Sequence, residues 1–320
     1  SLGQEMAKLG LNGPVLIVAG KSARRHLEAA WAETFKKAEI EYEIFDFAGE
    51  CSQAEIARAK TAAQNFSAKA IVGAGGGKVL DTSRAVAAEL DLAAVNCPTA
   101  ASSDAPCSAL SVVYTEDGAV ERYLFYKRNP ELVLVDTSVI AKAPARLLTA
   151  GMGDALATWF EAKTVTEAKK ANQVGGSTTI SAAALAKLCY ETLLEDGLAA
   201  LNAVRAQSVT PALERLVEAN TLLSGLGFES GGLAVAHSVH NGLTTMAETH
   251  HYLHGEKVAF GLIVQLVLEG KSKDLVKEVL EFCWSVGLPT CLADVGLTNL
   301  NKAQILQIAT RATAPEIGRA

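Results

Sequence analysis

The sequence predicts an α/β N-terminal domain with a parallel sheet over residues 1–144, followed by an all-α helical domain over residues 145–320. Three observations favour this fold class. The first half alternates short apolar runs with helical stretches, which is typical of βαβ units with helices on both faces of a sheet. After Pro144 the spacing of apolar residues is mostly helical. The length of 320 residues suits about two domains.

The N-terminal half begins with a buried strand, because Val15–Ala19 is a short apolar run that ends at Gly20. Right-handed crossovers between such strands place their carboxyl ends along one edge, where ligands bind, as in a Rossmann-like sheet. The other predicted strands are Tyr42–Phe47, Ala70–Gly73, Leu92–Pro98 and Leu132–Val135. The helices predicted between them are Ala23–Ala38, Gln53–Phe66 and Thr82–Leu90.

The segment Ser108–Tyr126 departs from this alternation. Two runs with a period of two residues flank Glu116-Asp117-Gly118, and this pattern predicts a β-hairpin. In the second half, glycine and proline mark the ends of helices. The helices predicted there include Thr178–Glu195, Thr210–Gly225, Ser230–Thr245 and Lys273–Val286.

The composition is that of a globular enzyme, with 49% hydrophobic and 20% charged residues. The net charge is −6 and there is no basic tract, which argues against a nucleic-acid partner or an anionic membrane surface. The longest strongly apolar stretch, Val258–Leu268, contains Gln265. It is too short for a membrane span, which needs about 20 residues.

The cysteines and the N-terminal residues indicate a cytoplasmic protein. None of the six cysteines belongs to a C-x-x-C pair, and scattered cysteines in a chain of this size are typical of buried thiols in a reducing compartment. The first 20 residues lack the basic and apolar regions of a signal peptide. We therefore expect a cytoplasmic location.

A glycine-rich run, GAGGGK at residues 73–78, follows a predicted strand and opens a helix. In that position, backbone N–H groups and the helix N-terminus favour a pyrophosphate. The run is not a P-loop, because Val79 follows Lys78 and Val72 fills the first glycine position. Nor is it a full G-x-G-x-x-G motif, because Lys78 replaces the third glycine. A tight strand-to-helix turn without a ligand is the alternative interpretation.

One aspartate and two histidines from distant segments form a candidate metal site. Asp154 lies in GMGDALATWFEA, His237 in GGLAVAHSVHNGL and His254 in HHYLHGEKVAFG. A carboxylate and two imidazoles suit a borderline divalent cation such as Zn²⁺, and three ligands leave a position open for substrate. The run Gly151–Gly153 predicts that Asp154 lies early in a helix, where the helix dipole alone would favour a carboxylate.

The spacing of the histidines does not choose among five candidates. His237 and His240 are three apart on a predicted helix and therefore share a face. His250, His251 and His254 precede an apolar helix. An open metal site and a dinucleotide turn in one chain would together favour hydride transfer from an alcohol.

Long segments of the chain resemble the glycerol dehydrogenases of the iron-containing (group III) alcohol dehydrogenase superfamily. The resemblance implies a dehydroquinate synthase-like architecture, with an interdomain cleft and assembly into homo-oligomers, commonly octamers. The densest segments are PTAASSDAPCSALSVVYTEDG (98–118), RNPELVLVDT (128–137), APARLLTAGMGDALATWFEA (143–162), GFESGGLAVAHSVHNGL (227–243) and HHYLHGEKVAFG (250–261).

The resemblance also implies roles for individual residues. Asp154, His237 and His254 would hold a catalytic Zn²⁺, although Fe²⁺ also suits this superfamily. Asp104 would lie beside the substrate and the nicotinamide of NAD. The residues implied at the pyrophosphate are Gly75, Gly76, Gly77 and Lys78. The residues implied around adenine, ribose and nicotinamide are Thr99, Ser102, Ser108, Leu110 and Tyr114.

The reaction implied is reversible oxidation of glycerol, or of a related vicinal diol such as 1,2-propanediol, to dihydroxyacetone or its analogue. The hydride acceptor that the resemblance implies is NAD⁺. One alternative is a reductase of methylglyoxal or hydroxyketones with the same site. A second is a dehydroquinate synthase-like lyase, which the small and acidic segment ASSDAPCSA disfavours. A third is a cofactor-binding paralogue without activity.

Two departures from the family pattern bear on these expectations. NAD-preferring members carry an aspartate after the first strand, and here Gly20 occupies that position, followed by Lys21. A carboxylate there would repel a 2′-phosphate, so its absence predicts better tolerance of NADP. Family members also carry an additional N-terminal strand and further C-terminal helices; either these lie outside this sequence or the chain is a shortened natural form.

Overall fold

A computed structural model describes residues 1–116 and 118–314. The chain divides into two compact units. The first comprises residues 1–100 and 105–136, and the second comprises residues 101–104 and the chain from residue 137 onward. The domain boundary expected between residues 144 and 145 stays a prediction.

The first unit contains a parallel sheet with helices on both faces, as the sequence predicted. Its strand order is β2-β1-β3-β4-β7, and Val15 lies opposite Tyr42 on one side and Ala70 on the other. The strands of this unit are β1 (Val15–Ala19), β2 (Tyr42–Asp46), β3 (Ala70–Gly75), β4 (Ala93–Pro98), β5 (Leu110–Tyr114), β6 (Val120–Phe125) and β7 (Leu132–Val133). The helices are α1 (Leu2–Lys8), α2 (Lys21–Ala38), α3 (Gln53–Asn65) and α4 (Gly77–Glu89).

Burial on both faces explains why β1 reads as a continuous apolar run. Leu16 and Val18 pack into the core on one face of the sheet, and Val15 and Ile17 pack into the core on the other. Successive side chains of a strand point to opposite faces, so every position of a doubly covered strand must be apolar. Because both faces of the sheet are covered, polar residues can lie at the carboxyl edge of its strands.

The predicted hairpin is present as strands β5 and β6. They pair antiparallel, with Leu110 opposite Phe125, and an irregularity in the register lies between Val113 and Tyr114. Asp117 of the predicted turn lies outside the described residues. Both strands of the hairpin belong to the same unit as the parallel sheet.

The described residues of the second unit form helices joined by turns, in agreement with the predicted class. A π-helical turn, Ala219–Leu223, joins α8 directly to α9. The helices are α5 (Thr137–Ile140), α6 (Ala145–Glu167), α7 (Ile180–Arg205), α8 (Pro211–Glu218), α9 (Ser224–Gly231), α10 (Val235–Leu243), α11 (His254–Leu268), α12 (Lys273–Val286) and α13 (Lys302–Ala312).

Three predicted helices of this unit were wrong in their bounds. The helix predicted over Thr178–Glu195 runs on to Arg205 in α7, and the helix predicted over Thr210–Gly225 is divided among α8, the π-helical turn and α9. The spacing predicted a helix over Ser230–Thr245, but α9 ends at Gly231 and α10 begins at Val235. Gly232 has a φ of +101°, in a region that side-chain-bearing residues rarely adopt, and the helix is broken there. Two helices therefore share the stretch assigned to one.

Of the helices that the structure describes, none is both long and apolar enough to cross a membrane.

Candidate metal centre and cofactor turn

Asp154 is completely buried in the middle of α6, so the predicted position near a helix start was wrong. The glycines before it serve close packing within the helical unit. A Cβ atom at Gly151 would lie 1.9 Å from the carbonyl oxygen of Ala101. A Cβ atom at Gly255 would lie 1.8 Å from the carbonyl oxygen of Ala150. Bare glycine backbone therefore lets the chain before Asp104 and the start of α11 approach α6 closely.

Three side chains from α6, α10 and α11 converge on one point. The Nε2 atoms of His237 and His254 lie 3.4 and 3.1 Å from Oδ1 of Asp154. One ligand atom from each of the three residues lies within 4.8 Å of the others. Oδ1 is buried and makes no hydrogen bond. A buried, unpaired carboxylate oxygen facing two imidazole nitrogens fits a divalent cation of the zinc or iron type.

The pKa values of Asp154 and His237 are strongly shifted in this cluster. Burial alone would raise the pKa of Asp154, but the imidazoles of His254 and His237 outweigh it and hold that pKa well below its ordinary value. Burial would likewise lower the pKa of His237, yet the carboxylates of Glu161 and Asp154 raise it well above the ordinary value. The cluster thus attracts positive charge.

Asp104 lies against the candidate metal ligand. Its backbone N–H donates to Oδ2 of Asp154 over 3.1 Å, and its own Oδ2 accepts from the Ser224 hydroxyl over 2.9 Å. Burial raises the pKa of Asp104 well above its ordinary value, and the negative charge of Asp154 adds to the shift. A carboxyl group in this state can donate a hydrogen bond as well as accept one.

The remaining candidate histidines do not join the cluster. His240 is buried, and its Nε2 lies 3.0 Å from Nδ1 of His254, on the side away from Asp154. Burial, together with the neighbouring imidazole, lowers the pKa of His240 well below its ordinary value, so it stays neutral. His250 hydrogen-bonds through Nε2 to the carbonyl oxygen of Thr244. His251 is exposed.

Sequence reasoning missed Glu161, which is completely buried behind His237. Its Oε2 lies 2.6 Å from Nδ1 of His237. A signal for it was present: Glu161 stands seven residues after Asp154 in one helix, which is two turns and therefore the same face. A second carboxylate on the helix face that carries a candidate ligand indicates a group that can support the metal site.

The glycine-rich run joins β3 to α4 as predicted, but α4 begins at Gly77, earlier than the predicted start at Thr82. Gly75 ends the strand, Gly76 is the residue before the helix, and Gly77 begins it. A Cβ at Gly76 would meet no atom within 4 Å, so the backbone there borders open space. The Lys78 ammonium is paired with Glu50 and lies 5.3 Å from the centre of the Tyr114 ring. This turn can receive an anion on backbone N–H groups.

The other residues expected at the cofactor are placed as follows. The N–H of Gly20 donates to the carbonyl oxygen of Ala74 over 3.1 Å, which sets Gly20 beside the glycine-rich run. The N–H of Thr99 donates to the carbonyl oxygen of Gly75 over 3.0 Å. Leu110 and Tyr114 are the end residues of β5, and the buried Ser108 precedes that strand. Ser102 belongs to the second unit.

The amino-acid sequence matches known proteins over most of its length. The family model described as iron-containing alcohol dehydrogenase matches residues 1–137. A glycerol dehydrogenase of Pseudomonas putida is 52% identical over 94% of this chain and 82% of its own length. A glycolaldehyde reductase of Halobacterium salinarum is 49% identical over 94% of this chain and 83% of its own length.

Solved structures give the same result for the fold. The crystal structure of glycerol dehydrogenase from Schizosaccharomyces pombe superimposes with a TM-score of 0.94 at 34% sequence identity. The superposition covers 99% of this chain and 81% of that one.

Proposed function

The chain belongs to the iron-containing alcohol dehydrogenase family and is an alcohol oxidoreductase; from this we propose that it oxidises glycerol and related vicinal diols with NAD⁺. Asp154, His237 and His254 would hold the catalytic metal, with Zn²⁺ as the ion that suits this donor set. One observation carries the proposal: two imidazole nitrogens and a carboxylate, from three separate helices, converge on one point, and one oxygen of that carboxylate is buried without a hydrogen bond.

The metal would act as a Lewis acid that lowers the pKa of a substrate hydroxyl. The rest of the chemistry falls to the chain. Asp154 supplies a buried negative charge beside two neutral imidazole donors. Asp104 lies against Asp154 and can hydrogen-bond a second substrate hydroxyl, which orients the diol. Loss of the hydroxyl proton and of a hydride from C2 converts glycerol to dihydroxyacetone, and the reverse reaction uses the same groups.

NAD⁺ would be the hydride acceptor. Residues Gly75 to Lys78 would bind its pyrophosphate through backbone N–H groups at the start of α4. Thr99, Ser102, Ser108, Leu110 and Tyr114 would line the remaining parts of the cofactor. The expected partners are a small polyol and further copies of the chain in a homo-oligomer of up to eight, acting in the cytoplasm.

A second candidate function is reduction of a small hydroxyaldehyde, hydroxyketone or methylglyoxal. It is favoured by the 49% identity to the glycolaldehyde reductase of Halobacterium salinarum. The same residues would serve both functions, because oxidation of a vicinal diol gives a 2-hydroxycarbonyl compound. Reduction of that compound is the reverse reaction at the same carbon atom. The two functions differ in the direction that the enzyme favours.

The diol assignment predicts a preference for vicinal hydroxyl groups. We expect kcat/KM for glycerol and 1,2-propanediol to exceed that for 1-propanol by at least about 100-fold, because a site that hydrogen-bonds a substrate hydroxyl rejects the analogue without it. Initial rates of NAD⁺ reduction with the three alcohols measure this. Equal kcat/KM for 1-propanol and 1,2-propanediol would contradict the assignment. Rates with glycolaldehyde and methylglyoxal, measured with NADH, test the reductase alternative.

Gly20 predicts how the enzyme treats NADP. Gly20 has a φ of −68°, which any residue adopts, and a Cβ there would meet its nearest atom at 3.5 Å. The Gly20→Asp variant should therefore fold and place a carboxylate at the position of the family's aspartate. We expect it to lower kcat/KM for NADP by about tenfold relative to NAD, through like-charge repulsion of the 2′-phosphate.

The matched control for this prediction is Gly20→Asn, which adds the same volume without the charge. The expected result is that Gly20→Asn changes the ratio of kcat/KM for the two cofactors little. A large NAD preference in the unaltered protein, or equal ratios in all three proteins, would show that Gly20 does not determine cofactor choice.

A further inference from the structure

We propose that Glu161 is a positioning residue that fixes the tautomer of His237 and supplies a second buried negative charge for the divalent cation. This inference rests on the proposed function, because it assumes that His237 binds the metal. Glu161 is not one of the three proposed metal ligands, and the role inferred for it is to support one of them.

Glu161 makes three hydrogen bonds in this cluster, and two of them are accepted from backbone N–H groups. Its Oε1 accepts from the backbone N–H of Ala234 over 2.8 Å and from that of His237 over 3.0 Å. Its Oε2 lies 2.6 Å from Nδ1 of His237. With Glu161 ionised, Oε2 can only accept, so Nδ1 of His237 carries the proton in this pair. When His237 is neutral, as a metal ligand must be, its lone pair is then on Nε2, the atom that faces Asp154.

The charge of Glu161 also bears on the ion. Glu161 and Asp154 are both completely buried, and they flank the same imidazole ring. A carboxylate behind a ligating histidine raises the basicity of the ligand and holds the ring in place. Buried carboxylates favour a nearby positive charge, because transfer of an unpaired charge from water is costly. Both effects strengthen binding of a dication.

His254 is supported differently, by a neutral chain of hydrogen bonds. Its Nδ1 lies 3.0 Å from Nε2 of His240, and Nδ1 of His240 lies 3.1 Å from Oδ1 of Asn241. Since the Asn241 oxygen can only accept, His240 carries its proton on Nδ1 and accepts from His254 at Nε2. His254 then presents Nε2 to Asp154. The two histidines thus have the same tautomer, but only His237 is backed by a charge.

Glutamine cannot replace Glu161 in this arrangement. Three N–H donors face the carboxylate, and an amide has one acceptor oxygen and one NH₂ group. If the amide oxygen accepts from the two backbone N–H groups, the NH₂ group faces Nδ1 of His237. His237 must then carry its proton on Nε2, which blocks metal binding. In the other orientation, the NH₂ group meets the two backbone donors.

The test compares Glu161→Gln with the unaltered protein and with Glu55→Gln. Glu55 is a matched control, because it is also buried and also accepts a backbone N–H, from Ala48, but lies in the first unit. We expect Glu161→Gln to raise the Zn²⁺ dissociation constant about 10- to 100-fold in competition with a chromogenic chelator. We also expect an altered visible absorption spectrum when Co²⁺ is bound. Glu55→Gln should match the unaltered protein in both.

The outcomes separate this inference from the proposed function. If the unaltered protein does not bind Zn²⁺, the proposed function and this inference both fall. If it binds Zn²⁺ and Glu161→Gln has the same affinity and Co²⁺ spectrum, only the role of Glu161 is overturned. Should Glu161→Gln not fold, ¹H–¹⁵N NMR of the zinc-loaded unaltered protein decides. An Nδ1 proton of His237 that is shifted farther downfield than that of His254, whose partner is neutral, supports the inference, and equal shifts overturn it.

Discussion

His254→Ala is expected to lower kcat/KM for glycerol by at least about 10³-fold, because a Lewis-acid metal contributes several kcal/mol to catalysis. The change removes Nε2, which lies 3.1 Å from the unpaired Oδ1 of Asp154. Two donors would remain where a stable three-ligand site needs three. The expected cause of the loss is therefore release of the metal, and the purified variant should contain little of it.

The fold should survive this substitution. The His254 side chain is 31% exposed and begins α11, so its truncation leaves no large buried cavity. Thermal unfolding followed by circular dichroism checks this, and we expect a Tm within a few degrees of the unaltered protein. The matched control is His251→Ala, an exposed histidine three residues earlier, which should keep most of the activity. A folded His254→Ala with kcat/KM within tenfold of normal would refute the ligand assignment.

Elements with strong local signals were predicted well. The strand Val15–Ala19 and the helix Lys273–Val286 were predicted with the bounds that the structure has. The helix begins after Ser272, whose hydroxyl accepts from a backbone N–H in the first turn, and ends at Gly287 with a φ of +81°. Such caps are local chemistry that a sequence displays directly. By contrast, the sequence does not distinguish Gly232, where the helix breaks, from a glycine inside a continuous helix.

The site was less accessible to sequence reasoning because it depends on contacts between distant segments. His237 and His240 lie on one helix face, and only the packing of α10 on α6 and α11 shows which of them faces Asp154. The glycines before Asp154 indicated a helix start, whereas Gly151 is needed for the close approach of the Ala101 carbonyl. Glu161 was missed because its position two turns after Asp154 was overlooked, and its contact with His237 depends on the packing of α6 against α10.

The central claim is that Asp154, His237 and His254 bind a metal that the alcohol oxidation requires. Removal of the metal is the second change with a large expected effect, because it takes away the ion that all three ligands hold. The protein should be stripped with a chelator, dialysed and shown by circular dichroism to be folded. Glycerol-dependent reduction of NAD⁺ should then fall by about 10³-fold or more.

The most direct measurement is that rate before and after the addition of Zn²⁺ to the stripped protein, with Mg²⁺ as the matched control. We expect Zn²⁺ to restore the activity and Mg²⁺ not to, because Mg²⁺ prefers oxygen ligands and an octahedral shell to imidazoles. Undiminished activity in the stripped protein, or a folded protein that stays inactive with Zn²⁺ and with Fe²⁺, would contradict the account.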